Sequence, residues 1–444
     1  MPVDSLSAPD QLCITLPATL IPEGDTMKRT AVICLSILIL AGTMFAAEGP
    51  TPKGVRHLDH VFVIMMENHG ITQIVGNPNA PFANQLMHSG NSALNYFAIG
   101  HPSLTNYLEV IGASNFGIRS DNNPDWHNGA CQPNLQTGVA NLDAPVASGN
   151  VCPIAGSGTD AETPVIDSSD ECTAASPCND INGFLSVPAA PTIGKSIADQ
   201  LAERGHTWKS YQQALPPTGA DGVNASDGFF TDSTDLTSVL PGEQQSLIKL
   251  YAAKHDPFVY FKSIQEGVTA GSSLKNVVGF EGKGGLFDDL QSGRVPQFSW
   301  ISPDQCHDQH GRGNAGPQCD FDPSDTGVQS GLNPALIFIG DQTLRTLVRA
   351  IHASPAWKEG HNAIVVLWDE NDFSAVPNVN QVLTIVDLNH NPHGRTSNRF
   401  YTHYSLTKTL EGAFDLPCLN HACDGNVNVM SDLFNFGDHD GDDQ

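Results

Sequence analysis

Four apolar runs punctuate the chain, and each is followed closely by oxygen- and nitrogen-bearing side chains. Val61-Phe-Val-Ile-Met-Met66 leads into Glu67, Asn68 and His69, and Phe298-Ser-Trp-Ile301 leads into Asp304, Asp308 and His310. Ala363-Ile-Val-Val-Leu-Trp368 precedes Asp369-Glu-Asn-Asp372, and Val382-Leu-Thr-Ile-Val386 precedes Asp387, His390 and His393. A short continuous apolar run reads as a strand buried on both faces, and in open α/β sheets the chemistry gathers just past the carboxyl ends of such strands. The four runs are therefore expected to deliver their polar residues to one rim, an arrangement suited to a hard or borderline metal ion handling phosphate. Helical patterning over residues 103–113, 193–204 and 336–351 alternates with the strands. That alternation predicts a largely parallel sheet with helices on both faces.

Residues 114–192 break the pattern, being rich in Gly, Asn, Asp, Ser, Pro and Cys with little apolar periodicity. They read as a disulfide-pinned insertion, either near the site mouth or as a surface excursion with no part in it. Residues 27–47 have the basic start, apolar middle and small-residue end of a secretory signal, so the start is read as Met27 and residues 1–47 as absent from the mature protein. The apolar stretch is short for a span, and no stable membrane insertion is expected after cleavage. The place of work is then the periplasm or the medium. Of ten cysteines, discarding Cys13 and Cys34 leaves eight in sequence-local pairs: Cys131/Cys152, Cys172/Cys178, Cys306/Cys319 and Cys418/Cys423. In an exported chain these read as disulfides, and the last two pairs, each bracketing a short loop, are expected to be bonded.

Charge narrows the partners. With 21 Lys+Arg against 48 Asp+Glu the net charge is −27, and loss of residues 1–47 leaves it at −25. Nucleic-acid backbones and anionic membranes are repelled by such a chain, so no nucleic-acid partner is expected. An anionic substrate must be captured by local positive charge, for which a bound metal is the obvious source. The acidic end, residues 437–444, reads as a solvated tail.

His101-Pro-Ser-Leu-Thr-Asn-Tyr107 stands where a loop becomes a helix. A serine there is a common N-cap, and it is also placed to attack an anion held by the helix amides and the positive end of the helix dipole. The two uses are compatible, and Ser103 is the candidate nucleophile. This segment, with Met66-Glu-Asn-His69, Asn95-Tyr-Phe97, Lys254-His-x-Pro-Phe258, Asp308-x-His310, Trp368-Asp-Glu370 and Tyr401-x-His-Tyr-Ser-Leu406, resembles the bacterial and fungal phosphoesterase family. That family contains secreted acid phosphatases and non-haemolytic phospholipases C, within the alkaline-phosphatase-like superfamily. The resemblance runs from about His57 to about Phe436, so a phosphoesterase domain over 55–436 is expected.

The resemblance implies an α/β fold, a three-layer sandwich around a largely parallel sheet. It implies Glu67, Asn68, Asp369 and Glu370 as ligands of a divalent metal ion (Ca2+, Mg2+, Mn2+ or Zn2+), and Ser103 as the residue transiently phosphorylated. Asn106 would hold a phosphoryl oxygen. Asp308 and His310 would serve in phosphate binding, a second metal site or leaving-group protonation, and His403 as a phosphate contact or proton donor. Where the family has Asn-Asp-x-His-Asp, His307 and Gly311 replace the outer residues, and Thr105 stands where many relatives have proline. His255 reads as structural as readily as functional. The implied activity is an exported, metal-dependent phosphomonoesterase of the acid phosphatase kind acting on small-molecule or lipid phosphate esters. The rival readings are a phosphodiesterase of the phospholipase C kind and a non-catalytic metal-binding surface protein.

Overall fold

The computed structural model describes residues 48–116, 118, 121, 123–124, 150–151, 157–158, 192–215, 250–311, 317–319, 333–372, 379–390 and 394–436. The run Val61–Met66 forms most of strand β1 (His60–Met66), and all six of its residues are fully buried. Burial on both faces is what a strand in the middle of a covered parallel sheet requires. Eight further strands join it: β2 (Asn91–Phe97), β3 (Trp208–Gln212), β4 (Val277–Gly279), β5 (Phe298–Ser302), β6 (Asn362–Trp368), β7 (Gln381–Leu388), β8 (Thr396–Ser397) and β9 (Tyr401–Thr402). The order is β8-β2-β7-β6-β1-β5-β3-β4, with β9 also paired to β2. The pairs β6/β1, β1/β5, β5/β3 and β3/β4 are all parallel.

Strand β7 departs from the expected arrangement. It runs antiparallel to β6, with Ala363 opposite Leu388 and Leu367 opposite Thr384. An antiparallel neighbour can follow after a short connection, whereas a parallel one needs a crossover of a dozen residues or more, usually a helix. Asp387 and His390 therefore stand at the rim opposite the other three sets, and Asp387 Oδ2 meets His352 Nε2 at 2.7 Å. His393 lies outside the described residues. What β7 does bring to the functional rim is the residue before it: Asn380 donates to the Gly100 carbonyl and accepts from the Asn371 amide.

Two helix groups cover the sheet. Helices α1 (Pro81–Ser89), α4 (Leu286–Ser292) and α5 (Pro334–Ala353) pack together, as do α2 (Ser103–Gly112), α3 (Ile197–Glu203) and α6 (His403–Ala413). In α5 the residues Leu336, Ile337, Leu344, Leu347, Val348 and Ile351 form the buried stripe, at the spacing of one helix face. Asn333 caps it by accepting from the Ala335 amide, and Pro334 opens the first turn, where no donor is needed. Cys306–Cys319 and Cys418–Cys423 are bonded as expected. The pairs Cys131/Cys152 and Cys172/Cys178, residues 1–47 and the acidic tail lie outside the described residues. Among the described residues no helix is long and apolar enough to cross a membrane.

Candidate active site

Sheet register builds the centre of the site. Met66 lies opposite Trp368 in the parallel β1/β6 pair, so Glu67 and Asp369 emerge side by side. The Asp369 amide donates to the Met66 carbonyl (3.0 Å), and the Asn68 amide donates to Asp369 Oδ1 (3.0 Å). Asn68 adopts a φ of +51°, a turn conformation that asparagine tolerates better than most residues. Pro102 occupies the N-cap of α2, and no side chain caps the helix there. The N-cap reading of Ser103 is thus corrected: its buried hydroxyl donates instead to Glu67 Oε2 at 3.0 Å, and it also sits beside Asp369, where it offsets a little of the rise that burial imposes on that carboxyl's pKa.

A second layer surrounds this pair. His255 lies between two carboxylates, with Nε2 3.1 Å from Glu67 Oε1 and Nδ1 3.1 Å from Asp308 Oδ2, and its ring stacks on Tyr107. The Glu67 amide donates to the Asp308 carbonyl (2.8 Å), which hooks the loop after β5 onto the end of β1. Asp308 Oδ1 accepts from the His310 amide (2.7 Å). The His310 ring meets the Gly311 carbonyl at Nδ1 and the Lys254 ammonium at Nε2, the latter at 3.0 Å. Lys254 also pairs with Asp121 (3.0 Å), whose other oxygen accepts the Leu104 amide in the first turn of α2.

The remaining expected residues hold the frame. Glu370 Oε2 meets His101 Nδ1 at 3.0 Å and accepts from Asn106 Nδ2 at 2.9 Å. Asn106 further accepts from the Ile99 and Gly100 amides and donates to the Gly100 carbonyl, so its amide is occupied in shaping the loop before Ser103. His403 is fully buried, with Nε2 2.7 Å from the Asp369 carbonyl and Nδ1 3.2 Å from the Tyr96 hydroxyl. Burial pushes its pKa down to about 4, which keeps the ring neutral at ordinary pH.

Charge is concentrated and poorly compensated. Burial raises the pKa of Glu67, Asp308, Asp369 and Glu370, and the neighbouring carboxylates raise it further, for Glu67 chiefly Asp369 and Asp308. Burial, and then Lys254 and His310, push His255 the other way. Glu67 Oε1, His255 Nε2, Asp308 Oδ2 and Asp369 Oδ2 are buried without a well-aligned hydrogen bond. Ligand atoms of Glu67, His255 and His310 lie within 4.8 Å of one another. Buried oxygen and nitrogen donors left unaligned, beside mutually repelling carboxyls, fit a divalent cation. Glu67 belongs both to this grouping and to the set read from the sequence. His255, left between a structural and a functional role by the sequence, joins it, whereas Lys254, His101 and Asp121 were given no role in the sequence reading.

The sequence profile described as "Phosphoesterase family" matches residues 77–417. A protein from Kluyveromyces lactis named probable acid phosphatase is 21% identical over 375 residues, 84% of this chain and 62% of that protein. A Mycobacterium tuberculosis protein named phosphatidylinositol-3-phosphatase is 22% identical, over 82% of this chain and 79% of its own length. The chain spans 62% and 57% of the first two fungal relatives it matches. A solved structure of a protein in the alkaline phosphatase superfamily from Vibrio parahaemolyticus aligns with a TM-score of 0.43 at 14% identity, over 85% of this chain and 72% of that one.

Proposed function

Because this chain belongs to the Phosphoesterase family, we propose that it is an exported phosphoric ester hydrolase, a phosphomonoesterase of the acid phosphatase kind that works through a phosphoserine at Ser103. The observation that carries the reading is the Ser103 hydroxyl, buried in the first turn of α2 and hydrogen-bonded at 3.0 Å to Glu67 beside Asp369. In the forward step Ser103 Oγ forms a bond to phosphorus as the bond to the alcohol oxygen breaks, and its proton passes to Glu67 Oε2, its present acceptor. The phosphoryl group sits at the positive end of the α2 dipole, with the Lys254 ammonium supplying positive charge from the side. The departing oxygen takes a proton from the Lys254–His310 pair, whose nitrogens are 3.0 Å apart. Water then cleaves the phosphoserine by the reverse proton path.

Glu67 and Asp369 with Asn68, together with His255 on the far side of Glu67, are the residues that would hold a divalent cation. Bound there, a cation supplies charge to the phosphoryl oxygens and lowers the pKa of the serine hydroxyl. Glu370, Asn106 and His403 act in this reading as positioning residues, each fixing a neighbour that faces the reacting atoms. The names of the fungal relatives support phosphatase activity without specifying the ester, and the name of the mycobacterial relative supports a lipid monoester as one candidate.

Ser103→Ala is expected to lower turnover of phosphate monoesters at least a hundredfold while leaving the thermal midpoint within a few degrees, since a missing nucleophile closes the covalent route. A variant keeping more than about a tenth of wild-type activity would overturn the phosphoserine step and make water the attacking group. Chelation should abolish the wild-type activity, and re-addition of a divalent cation should restore it. Equal rates on monoesters and diesters would overturn the monoesterase assignment.

A further inference from the structure

Beside the catalytic cluster, on the same rim of the sheet, lies a cavity of about 690 Å³. That volume falls among small-molecule sites, which run from about 300 to 1,000 Å³. One wall is apolar, with Leu215 after β3, Phe280 after β4, Phe287 in α4, and Ile339 and Leu347 on α5. Thr343 and Thr346 complete the α5 side, and both spend their hydroxyls on carbonyls of their own helix, leaving their methyl groups for the wall. The lining also includes Asp304 and His307, whose side chains meet at 2.8 Å, and the exposed Glu281.

One loop, 303–311, borders both the cavity and the site. Asp304 and His307 line the cavity, while Asp308 and His310 serve the catalytic cluster. One atom joins the two sides: the Asp304 carbonyl accepts the amides of both His307 and Asp308. Strand order sets the separation. Strand β5 adjoins β1 and β3 adjoins β5, and neighbouring strands sit about 4.8 Å apart, so the end of β3 is about 10 Å along the rim from the end of β1. To enter the cavity, the alcohol of an ester bonded to phosphorus at Ser103 would have to extend along loop 303–311 by about that distance, the length of one or two rings. Asp304, paired with His307, and Glu281 are carboxylates, and among the described lining residues there is no lysine or arginine.

Building on the reading of Ser103 as nucleophile, we propose that this cavity seats the alcohol half of the phosphate ester and selects uncharged, partly aromatic alcohols over those carrying a second anionic group. The apolar wall, with the threonine methyl groups of α5, receives the ring. Glu281, which has no such histidine partner in the lining, repels a second phosphate.

The test compares three esters, 2-naphthyl phosphate, ethyl phosphate and a sugar bisphosphate, on wild type, Thr343→Trp and Glu281→Lys. Thr343→Trp fills the cavity from α5, and should raise KM for the naphthyl ester at least tenfold while leaving ethyl phosphate within twofold. Glu281→Lys changes an exposed residue and should lower KM for the bisphosphate at least threefold, again sparing ethyl phosphate. Equal effects of Thr343→Trp on the naphthyl and ethyl esters, or none on either, overturn the proposal. Calorimetric binding of 2-naphthol separates its failure from that of the catalytic reading. If wild type binds the alcohol and Thr343→Trp does not, while no ester is turned over, the cavity assignment stands and the role of Ser103 falls. If wild type does not bind it, the cavity assignment falls whatever the turnover.

Discussion

Gln309 stands between Asp308 and His310 and turns the other way. Its φ is +82°, unusual for a side chain of its size, and it is almost wholly buried. Its amide donates to the Ile337 carbonyl of α5 (2.9 Å) and accepts from the Trp368 indole (2.9 Å), the residue just before Asp369. Room for it exists because position 340 is glycine: a Cβ there would come within 2.3 Å of Gln309 Cγ. One side chain thus locks the loop carrying Asp308 and His310 to the strand carrying Asp369. Gln309→Ala should lower kcat on phosphate monoesters about tenfold or more, because a small displacement of positioned groups is costly to rate. It should also cost about 1–3 kcal/mol of stability by leaving the Trp368 and Ile337 polar groups unpaired. Gly340→Ala should act in the same direction without touching a polar partner. Steady-state kinetics and urea midpoints check both, and an unchanged kcat would remove Gln309 from the supporting frame. Nothing in the sequence marks this residue, because a glutamine in a polar loop reads like its neighbours until the fold brings Trp368 and α5 to it.

At the scale of elements, helix ends that lack their own caps borrow them. Helix α1 has Ala80 at its N-cap and no local side chain to take its first amides. Asp341, near the middle of α5, supplies both bonds, accepting from Phe82 (3.0 Å) and Ala83 (2.8 Å). A carboxylate against a helix N-terminus also meets the favourable end of the dipole. Asp341→Ala is therefore expected to cost about 1–2 kcal/mol, the range of a lost cap, measurable as a shift of the denaturation midpoint with no change in KM. The helical spans of α2 and α5 were legible as apolar periodicity, and β1, β5 and β6 as apolar runs. The direction of β7 was not, since an apolar run buried on both faces looks the same in a parallel and an antiparallel neighbour.

The whole molecule carries a large acidic excess, and some of its carboxyls are buried where that excess is felt as instability. Glu411 in α6 is fully buried; one oxygen accepts the Leu419 amide at 2.7 Å and the other meets no hydrogen-bond partner among the described residues. Burial raises its pKa well above the ordinary 4.5, against a smaller lowering by the Leu419 amide and Lys408. With the folded pKa raised, the folded state holds a proton that the unfolded chain has lost. Stability contributed by this group is then full below the ordinary glutamate pKa and declines as pH rises towards the folded value. Glu411→Gln keeps an acceptor for the Leu419 amide and removes the ionisable group. It should melt higher than wild type at pH 7 and no higher at pH 4, and a constant difference across that range would exclude ionisation as the cause.

The order of polar residues behind apolar runs by itself determined that this is a layered α/β protein with Glu67, Asp308 and Asp369 near one rim, because strand burial and loop chemistry are written locally. Family membership followed from the same ordered motifs. Only the tertiary structure decided which neighbours those residues meet. His255 falls between Glu67 and Asp308, Asn106 and His403 turn inward as supports, and Asp387 with His390 goes to the far rim. Those outcomes depend on strand register, strand direction and loop closure across more than a hundred residues, and no local pattern of side chains encodes such distances.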